Sequence, residues 1–509
     1  MMEVKIFTSI LILAFFALMV AVGLYCRKHA TNVDGFVLGG RSVGPWLTAF
    51  AYGTSYFSAV IFVGYAGQFG WNFGIASTWI GLGNAFIGSM LAWNVLGRRT
   101  RIMTQHLNSK TMPDFFQKRY DSKALKIAAS IIVFVFLIPY TASLYNGLSS
   151  LFGIAFDIPY WVCIVVMAVL TGLYVIFGGY MATAINDFIQ GIVMLVGIVA
   201  VVAAVLKVNG GFMQSVSLLV EKSDWRFASF AGPDPWFLVV VVMLTSLGTW
   251  GLPQMVGKFY AISNEEAIKK GTLISTVFAI IVAGGCYFLG GFGRIFVNAE
   301  QVAESGFDSI VPTMLSGLSP YIIGIVIVLV LAASMSTLSS LVLTSASTLT
   351  LDVIMPSDKQ VDEKKKISIM RWLILFFIVL SALIAILKDS IWSDFVFIAQ
   401  MMGVSWGALA GSFLAPFLYG LYWKKTTRAA VWTTFACGVC LMITQLLVSM
   451  KVITVSGGIF AIVFKNSLYS GVFAMLLGLV IVPIVSLFTQ KSKPENVEEK
   501  FKGFEKEKI

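Results

Sequence analysis

Runs of about twenty apolar residues recur from one end of this chain to the other, separated by short polar segments. Each run is continuous rather than alternating, so the pattern predicts membrane helices and not the strands of a barrel. Thirteen spans follow, at about 6–26, 46–69, 75–97, 126–148, 158–179, 184–207, 236–257, 272–295, 319–347, 371–388, 394–421, 429–450 and 466–488. The first has only Lys5 before it and Arg27-Lys28 after it, and it is too long for a signal-peptide core. It is expected to stay as a leading helix.

Two spans are interrupted. The second carries Ala51-Tyr52-Gly53-Thr54-Ser55-Tyr56-Phe57-Ser58, and the seventh carries Thr245-Ser246-Leu247-Gly248-Thr249-Trp250-Gly251-Leu252-Pro253. Glycine and proline open a helix where a cavity or ligand can satisfy the freed backbone groups. Spans two to six (46–207) and seven to eleven (236–421) make two blocks of five, each led by an interrupted helix. Five is odd, so the blocks are inverted in the membrane. That pairing is the sequence signature of a midplane site in a secondary transporter. Two trailing helices (429–488) and a tail (489–509) complete a single transmembrane domain, residues 1–488, with a charged end.

The ninth span holds Ala332-Ala333-Ser334-Met335-Ser336-Thr337-Leu338-Ser339-Ser340, five hydroxyls in seven residues. Lipid offers these oxygens no partner. They either bond back to their own helix and allow close packing, or form a cluster of neutral oxygen ligands for a small cation.

Composition agrees with the pattern: 58 % of the 509 residues are hydrophobic and 12 % charged. The net charge of +11 comes from one set of loops, which holds 28 of the 36 lysines and arginines. This asymmetry places the N-terminus outside and the C-terminus in the cytoplasm, and argues for membrane topology rather than nucleic-acid binding. The tail from Gln490 alternates Lys and Glu and reads as solvated and partly disordered. Segments 208–235 and 296–318 are the longest outer connections, each with room for a short helix. The five cysteines lie in or beside apolar runs, and Cys437-x-x-Cys440 sits mid-helix with no second ligand pair. His29 and His106 fall in loops and carry no evident chemistry. No nucleophile–base pair or metal cluster marks an enzyme. No ring of like charges marks a channel.

Asp187, at the start of the sixth span, is a carboxylate in a costly place. It is either a helix cap with its oxygens in water or a ligand for a hard cation. With no Glu or His deep in any span, a proton relay is not evident, which tilts the coupling ion towards Na+.

From about 32 to 428 the chain resembles the sodium/solute symporters, which include bacterial sodium/proline and sodium/pantothenate symporters and the sodium/glucose transporters. The resemblance is carried by Gly39-Gly40-Arg41-Ser42-x-Gly44-Pro45, by Met112-Pro113-Asp114-Phe115-Phe116 with Arg119-Tyr120, and by Phe177-Gly178-Gly179 followed by Asn186-Asp187 and Gln190. It continues through Gly251-Leu252-Pro253-Gln254 with Lys258-Phe259, then Ala332 to Ser339. It implies an all-α membrane protein of LeuT type, a 5+5 inverted repeat, with Na+ as coupling ion and a place in the cell membrane of a bacterium. It further implies a first sodium site at Thr54, Phe57, Ala333, Ser336 and Thr337, the first three by backbone carbonyl. A second sodium site is implied at Asp187 with Ser336, Ser339 and Ser340, giving two ions per cycle.

The solute is less defined. Sodium/proline symporters have an aspartate where Tyr56 stands here, and a Trp and a Tyr where Thr245 and Thr249 stand; Tyr140 and Pro253 match. Gly251 to Gln254 is nearer the pantothenate type, and Ser58-Ala59-Val60 the monocarboxylate type. The expected pocket residues are Tyr56, Ser58, Tyr140, Thr245, Thr249, Trp250 and Gln400, with Arg41 as gate or positive anchor. Expected partners are a small solute (amino acid, pantothenate-like or other carboxylate, or sugar), sodium ions and the bilayer; no obligate protein partner is implied. Two alternatives stay open: proton coupling, and a transport-like sensor working with a partner protein.

Overall fold

The computed structural model describes residues 2–156, 159–356, 362–391, 398–455 and 457–506. The expected starts of the fifth and eleventh spans, at 158 and 394, lie outside the described residues. Among the described residues the chain is helical apart from one backbone bridge between Val43 and Ile262. Among the described residues ten helices are long and apolar enough to cross a membrane, and a bent pair, Pro235–Gly251 with Pro253–Ala261, adds one more at an angle of 47°. Two of the ten, Val60–His106 and Trp161–Val208, run to 47 and 48 residues. At 1.5 Å per residue each holds about 70 Å of helical path, roughly twice a hydrocarbon core of about 30 Å, and the first bends at Gly74, which has φ 62° and ψ −140°. The second is sharply kinked at Gly179, which has φ 54° and ψ −146°. Only glycine adopts that conformation without strain, and a Cβ there would lie 2.7 Å from the Phe36 carbonyl oxygen.

Both interrupted helices break where their small and polar residues predict. The first runs Pro45–Tyr56, opens at Phe57 (φ −92°, ψ 98°), and resumes as a π-helical turn, Val60–Tyr65, and Ala66–Phe73. The second runs Pro235–Leu247, tightens at Gly248–Gly251, turns extended at Leu252 and resumes at Pro253, where the missing N–H costs nothing. The Val43–Ile262 bridge ties the approach to the first broken helix to the exit from the second, through Val43 N–H to the Ala261 carbonyl at 3.2 Å and Ser263 N–H to the Val43 carbonyl at 3.0 Å.

The hydroxyl-bearing helix, Pro320–Thr348, is central: 83 % of its apolar stretch is buried, against 22 % for the leading helix. It packs against the long kinked helix Tyr160–Val208 and the first broken helix. Helix Ile398–Tyr422 is equally enclosed, between Lys123–Phe156 and the trailing helices Arg428–Ser449 and Ser467–Phe488. At one end of the bundle Asp352, beyond the hydroxyl run, accepts from Thr111 Oγ1 at 2.6 Å and lies 3.9 Å from Lys126, which also faces Asp114 at 3.5 Å.

The connections 208–235 and 296–318 do form short helices, Phe212–Lys222 in one and Ala299–Ser305 with Ile310–Ser316 in the other. The tail differs from its expected solvated state. It forms Val497–Phe501 and Gly503–Lys506 and buries Val497 and Phe501. Phe501 lies 5.1 Å from the Arg119 guanidinium, Lys500 donates to Asp121 at 2.6 Å, and His106 Nε2 meets the Glu499 carbonyl at 2.9 Å.

Candidate functional site

At the first break the chain assembles the oxygens the sequence singled out. The Thr54 carbonyl receives the Ser336 hydroxyl at 3.2 Å and the Thr337 hydroxyl at 3.1 Å. Both hydroxyls also lie 3.2 Å from the Ala333 carbonyl. Beyond the break, the N–H groups of Ile61 and Phe62 go to Ser58, so the regular ladder is interrupted across Phe57. Thr54, Phe57, Ala333, Ser336 and Thr337 are all buried. Two carbonyls and two rotatable hydroxyls that now satisfy one another are a neutral, hard-oxygen set; turning the hydroxyl protons aside presents lone pairs to a cation. The Thr54 hydroxyl is otherwise engaged, donating to the Phe50 carbonyl at 2.9 Å.

The second oxygen group is arranged differently from the expectation. Asp187 is fully buried, and neither carboxylate oxygen has a hydrogen-bond partner among the described residues. Facing it at 3.7 Å is the ammonium of Lys258, itself buried. Lys258 Nζ donates to Ser340 Oγ at 3.0 Å, and Ser340 shares a 2.7 Å hydrogen bond with Ser55 on the first broken helix. Ser339 turns back to the Ser336 carbonyl at 2.8 Å. By its position after the seventh span Lys258 counts with the loop cations, but the structure places it inside the bundle.

The predicted solute residues divide into three groups. Tyr56 bonds the Thr245 carbonyl across the two broken helices, and its ring stacks on Trp406 at 5.7 Å and 23°. Tyr140 meets the same indole edge-on at 6.0 Å, beside Ser58. The Ser58 and Tyr140 hydroxyls and Trp406 Nε1 are buried without a hydrogen-bond partner among the described residues, as are Tyr287 OH and Asn84 Nδ2 nearby. Thr249 and Trp250 lie to one side and are engaged: Trp250 Nε1 donates to the Ile87 carbonyl at 3.1 Å, and the Thr249 hydroxyl to the Ser246 carbonyl at 2.8 Å. Gln400 stands six residues before Trp406 on the same helix, about 9 Å along the axis. It lines a separate polar cavity of about 320 Å³ with Gln68, Gln445, Lys465 and Asn466. Arg41 joins none of these groups; its Nη2 donates to the Ser109 carbonyl at 2.6 Å and fixes the loop there.

Sequence reasoning left out Trp406, Asn84 and Tyr287, and gave Lys258 no role at the site. Trp406 does lie among small residues in Gly403-Val404-Ser405-Trp406-Gly407, and Asn84 is a lone amide in an apolar run.

Comparison with known proteins completes the description. The family model described as "Sodium:solute symporter family" matches residues 36–438. Sodium/proline symporters of Staphylococcus aureus strains JH9 and N315 are each 29 % identical to the chain over 449 residues, covering 86 % of it and 85 % of the relative. Among solved structures, a Na+-coupled sialic acid symporter in a substrate-bound outward-open state aligns with a TM-score of 0.71 at 16 % identity, over 94 % of this chain and 98 % of that one. A manganese transporter of Eremococcus coleocola aligns at 0.52 and 13 % identity, over 88 % and 95 %. At such identities these structures establish a shared fold, that of the LeuT-type transporters.

Proposed function

The chain belongs to the sodium:solute symporter family, in which Na+ is the coupling ion, and we propose that it imports a small organic carboxylate by alternating access. The observation that carries this reading is the convergence of the Ser336 and Thr337 hydroxyls with the Ala333 carbonyl on the Thr54 carbonyl, at the helix break. Thr54, Phe57, Ala333, Ser336 and Thr337 form the sodium site. Sodium bound there holds the first broken helix to the hydroxyl helix and favours the outward-facing state; solute then binds beside it, and the bundle rocks inward. Each sodium ion moving inward releases roughly 2.3 kcal/mol per 100 mV.

The carboxylate class is supported by the buried polar groups beside the break. Trp406 Nε1 and Asn84 Nδ2 can only donate, and the hydroxyls of Ser58, Tyr140 and Tyr287 are free to do so. A neutral, donor-rich, aromatic cluster suits a ligand that brings acceptor oxygens and an apolar body. A carboxylate meets that need, whereas a sugar would bring as many donors as acceptors.

The two overlong helices, each counted as two crossings, bring the ten helices and the bent pair to thirteen. That count supports two inverted blocks, 46–207 and 236–421, between a leading helix at 6–26 and two trailing ones at 429–488, with the tail 489–509 in the cytoplasm. A multi-pass place in a bacterial cell membrane goes with it. The test is uptake by proteoliposomes holding the full chain, against labelled amino acids, short monocarboxylates, pantothenate and sugars. Uptake confined to sugars would sink the carboxylate assignment, and transport driven by a proton gradient alone would sink sodium coupling.

A further inference from the structure

Asp187 presents a charge buried without hydrogen bonds, a costly arrangement that needs a close cation. The cation present is tethered: the ammonium of Lys258, on the second half of the second broken helix, 3.7 Å away and held by Ser340 at 3.0 Å. Lys258 also has somewhere to go. Its side chain borders a narrow cavity of about 50 Å³ shared with Tyr180, Thr344, Ser347, Lys110 and Thr111, and its Nζ already lies 5.4 Å from the Tyr180 ring. A flexible four-carbon stem allows the swing, and the ring face and the Thr and Ser oxygens receive the ammonium.

A sodium ion and the ammonium cannot share this carboxylate. Like charges about 4 Å apart at an effective dielectric of about 20 disfavour each other by a factor of roughly a thousand. We propose that Lys258 is a tethered cation standing in for a second sodium ion: its ammonium and Na+ occupy the position between Asp187 and Ser340 in alternation. With Lys258 in place the chain holds one sodium ion, at Thr54, Ser336 and Thr337. When Na+ takes the carboxylate, Lys258 swings into the cavity and releases Ser340, whose 2.7 Å bond to Ser55 lies one residue from the Thr54 carbonyl. The exchange links both broken helices, the hydroxyl helix and the carboxylate helix. It rests on the reading of the chain as a sodium-coupled symporter and narrows that reading to one ion in the lysine-held state.

The test is equilibrium binding of radioactive Na+ to the purified full-length protein, without transport. Wild type is expected to bind one ion tightly, with a Hill coefficient near one, and a second only weakly at high Na+, as Lys258 is displaced. Lys258→Met removes the charge and keeps the length; it is expected to bind a second ion, with at least tenfold tighter affinity than wild type shows for any second ion. Lys258→Arg is expected to retain one, and Lys258→Met with Asp187→Asn to lose the second again. Lys258→Met binding one ion with unchanged affinity overturns the proposal. No Na+ binding by any variant, wild type included, overturns the symport reading instead. Should Lys258→Met fail to fold, wild type alone decides: saturating Na+ is expected to raise the rate of reductive methylation of Lys258, read by mass spectrometry. An unchanged rate contradicts the exchange.

Discussion

Replacing Thr337 by valine removes one oxygen from the proposed sodium site and little else. The Thr337 hydroxyl lies 3.1 Å from the Thr54 carbonyl and 3.2 Å from the Ala333 carbonyl, and the Ser336 hydroxyl duplicates both contacts at 3.2 Å. With Ser336 still in place no buried carbonyl is orphaned, so the fold should lose only about 1 kcal/mol, the net value of one neutral hydrogen bond. A ligating oxygen of similar worth, about 1.4 kcal/mol, corresponds to roughly tenfold in sodium affinity. The double variant Ser336→Ala/Thr337→Val leaves the Thr54 carbonyl without either hydroxyl. Its loss should exceed the sum of the two single losses, because the residues share a partner and an orphaned buried carbonyl costs a further ~1–3 kcal/mol. Sodium titration of intrinsic fluorescence, checked by Na+ activation of uptake, measures the effect. Ser334→Ala is the control: its hydroxyl is buried without a partner among the described residues, and half-saturation should stay within about twofold of wild type. An unchanged half-saturation in Thr337→Val, or an equal shift in Ser334→Ala, would refute the site.

Tyr140→Phe and Trp406→Phe should each raise the solute concentration for half-maximal uptake about tenfold, by loss of one donor, with sodium affinity unchanged. Because the Tyr140 hydroxyl is buried and unpartnered among the described residues, its removal should leave the unfolding temperature unchanged or higher, read by a thermal melt in detergent. Gly179→Ala forces a side chain into a glycine-only conformation against Phe36 and should cost at least ~1–3 kcal/mol, lowering the same melt. Near the tail, the hydrogen bond from Lys424 holds the Glu498 carboxyl below its ordinary value of 4.5. A folded pKa below the unfolded one stabilises docking above about 4.5, and that contribution is lost as pH falls through the depressed value. The protection factors of amides 497–506, corrected for intrinsic exchange, should therefore fall on acidification below that point and stay flat above it.

The parts of the site that depend on one helix were legible in the sequence. Ser336 and Thr337 sit beside each other in a stretch where lipid offers oxygens nothing, and the Gly53 to Ser58 patch marks the break they meet. The parts that depend on a distant partner were not. Lys258 follows a span and counts as a loop charge by position; only the 47° bend at Leu252 and the packing of four helices aim it at Asp187. Trp406 and Tyr287 are indistinguishable, in an apolar run, from aromatics that face lipid. The tail's alternating charges conceal Val497 and Phe501, which find an apolar and cationic surface at Arg119 that no local pattern announces.

The central claim is that sodium and solute cross together. The most direct measurement is radioactive Na+ influx into proteoliposomes, with and without a transported carboxylate outside, membrane potential clamped. Solute-stimulated Na+ influx, abolished in Ser336→Ala/Thr337→Val, together with solute uptake that stops when choline replaces Na+, is the predicted result. Solute uptake that persists in choline and leaves Na+ influx unchanged would contradict it.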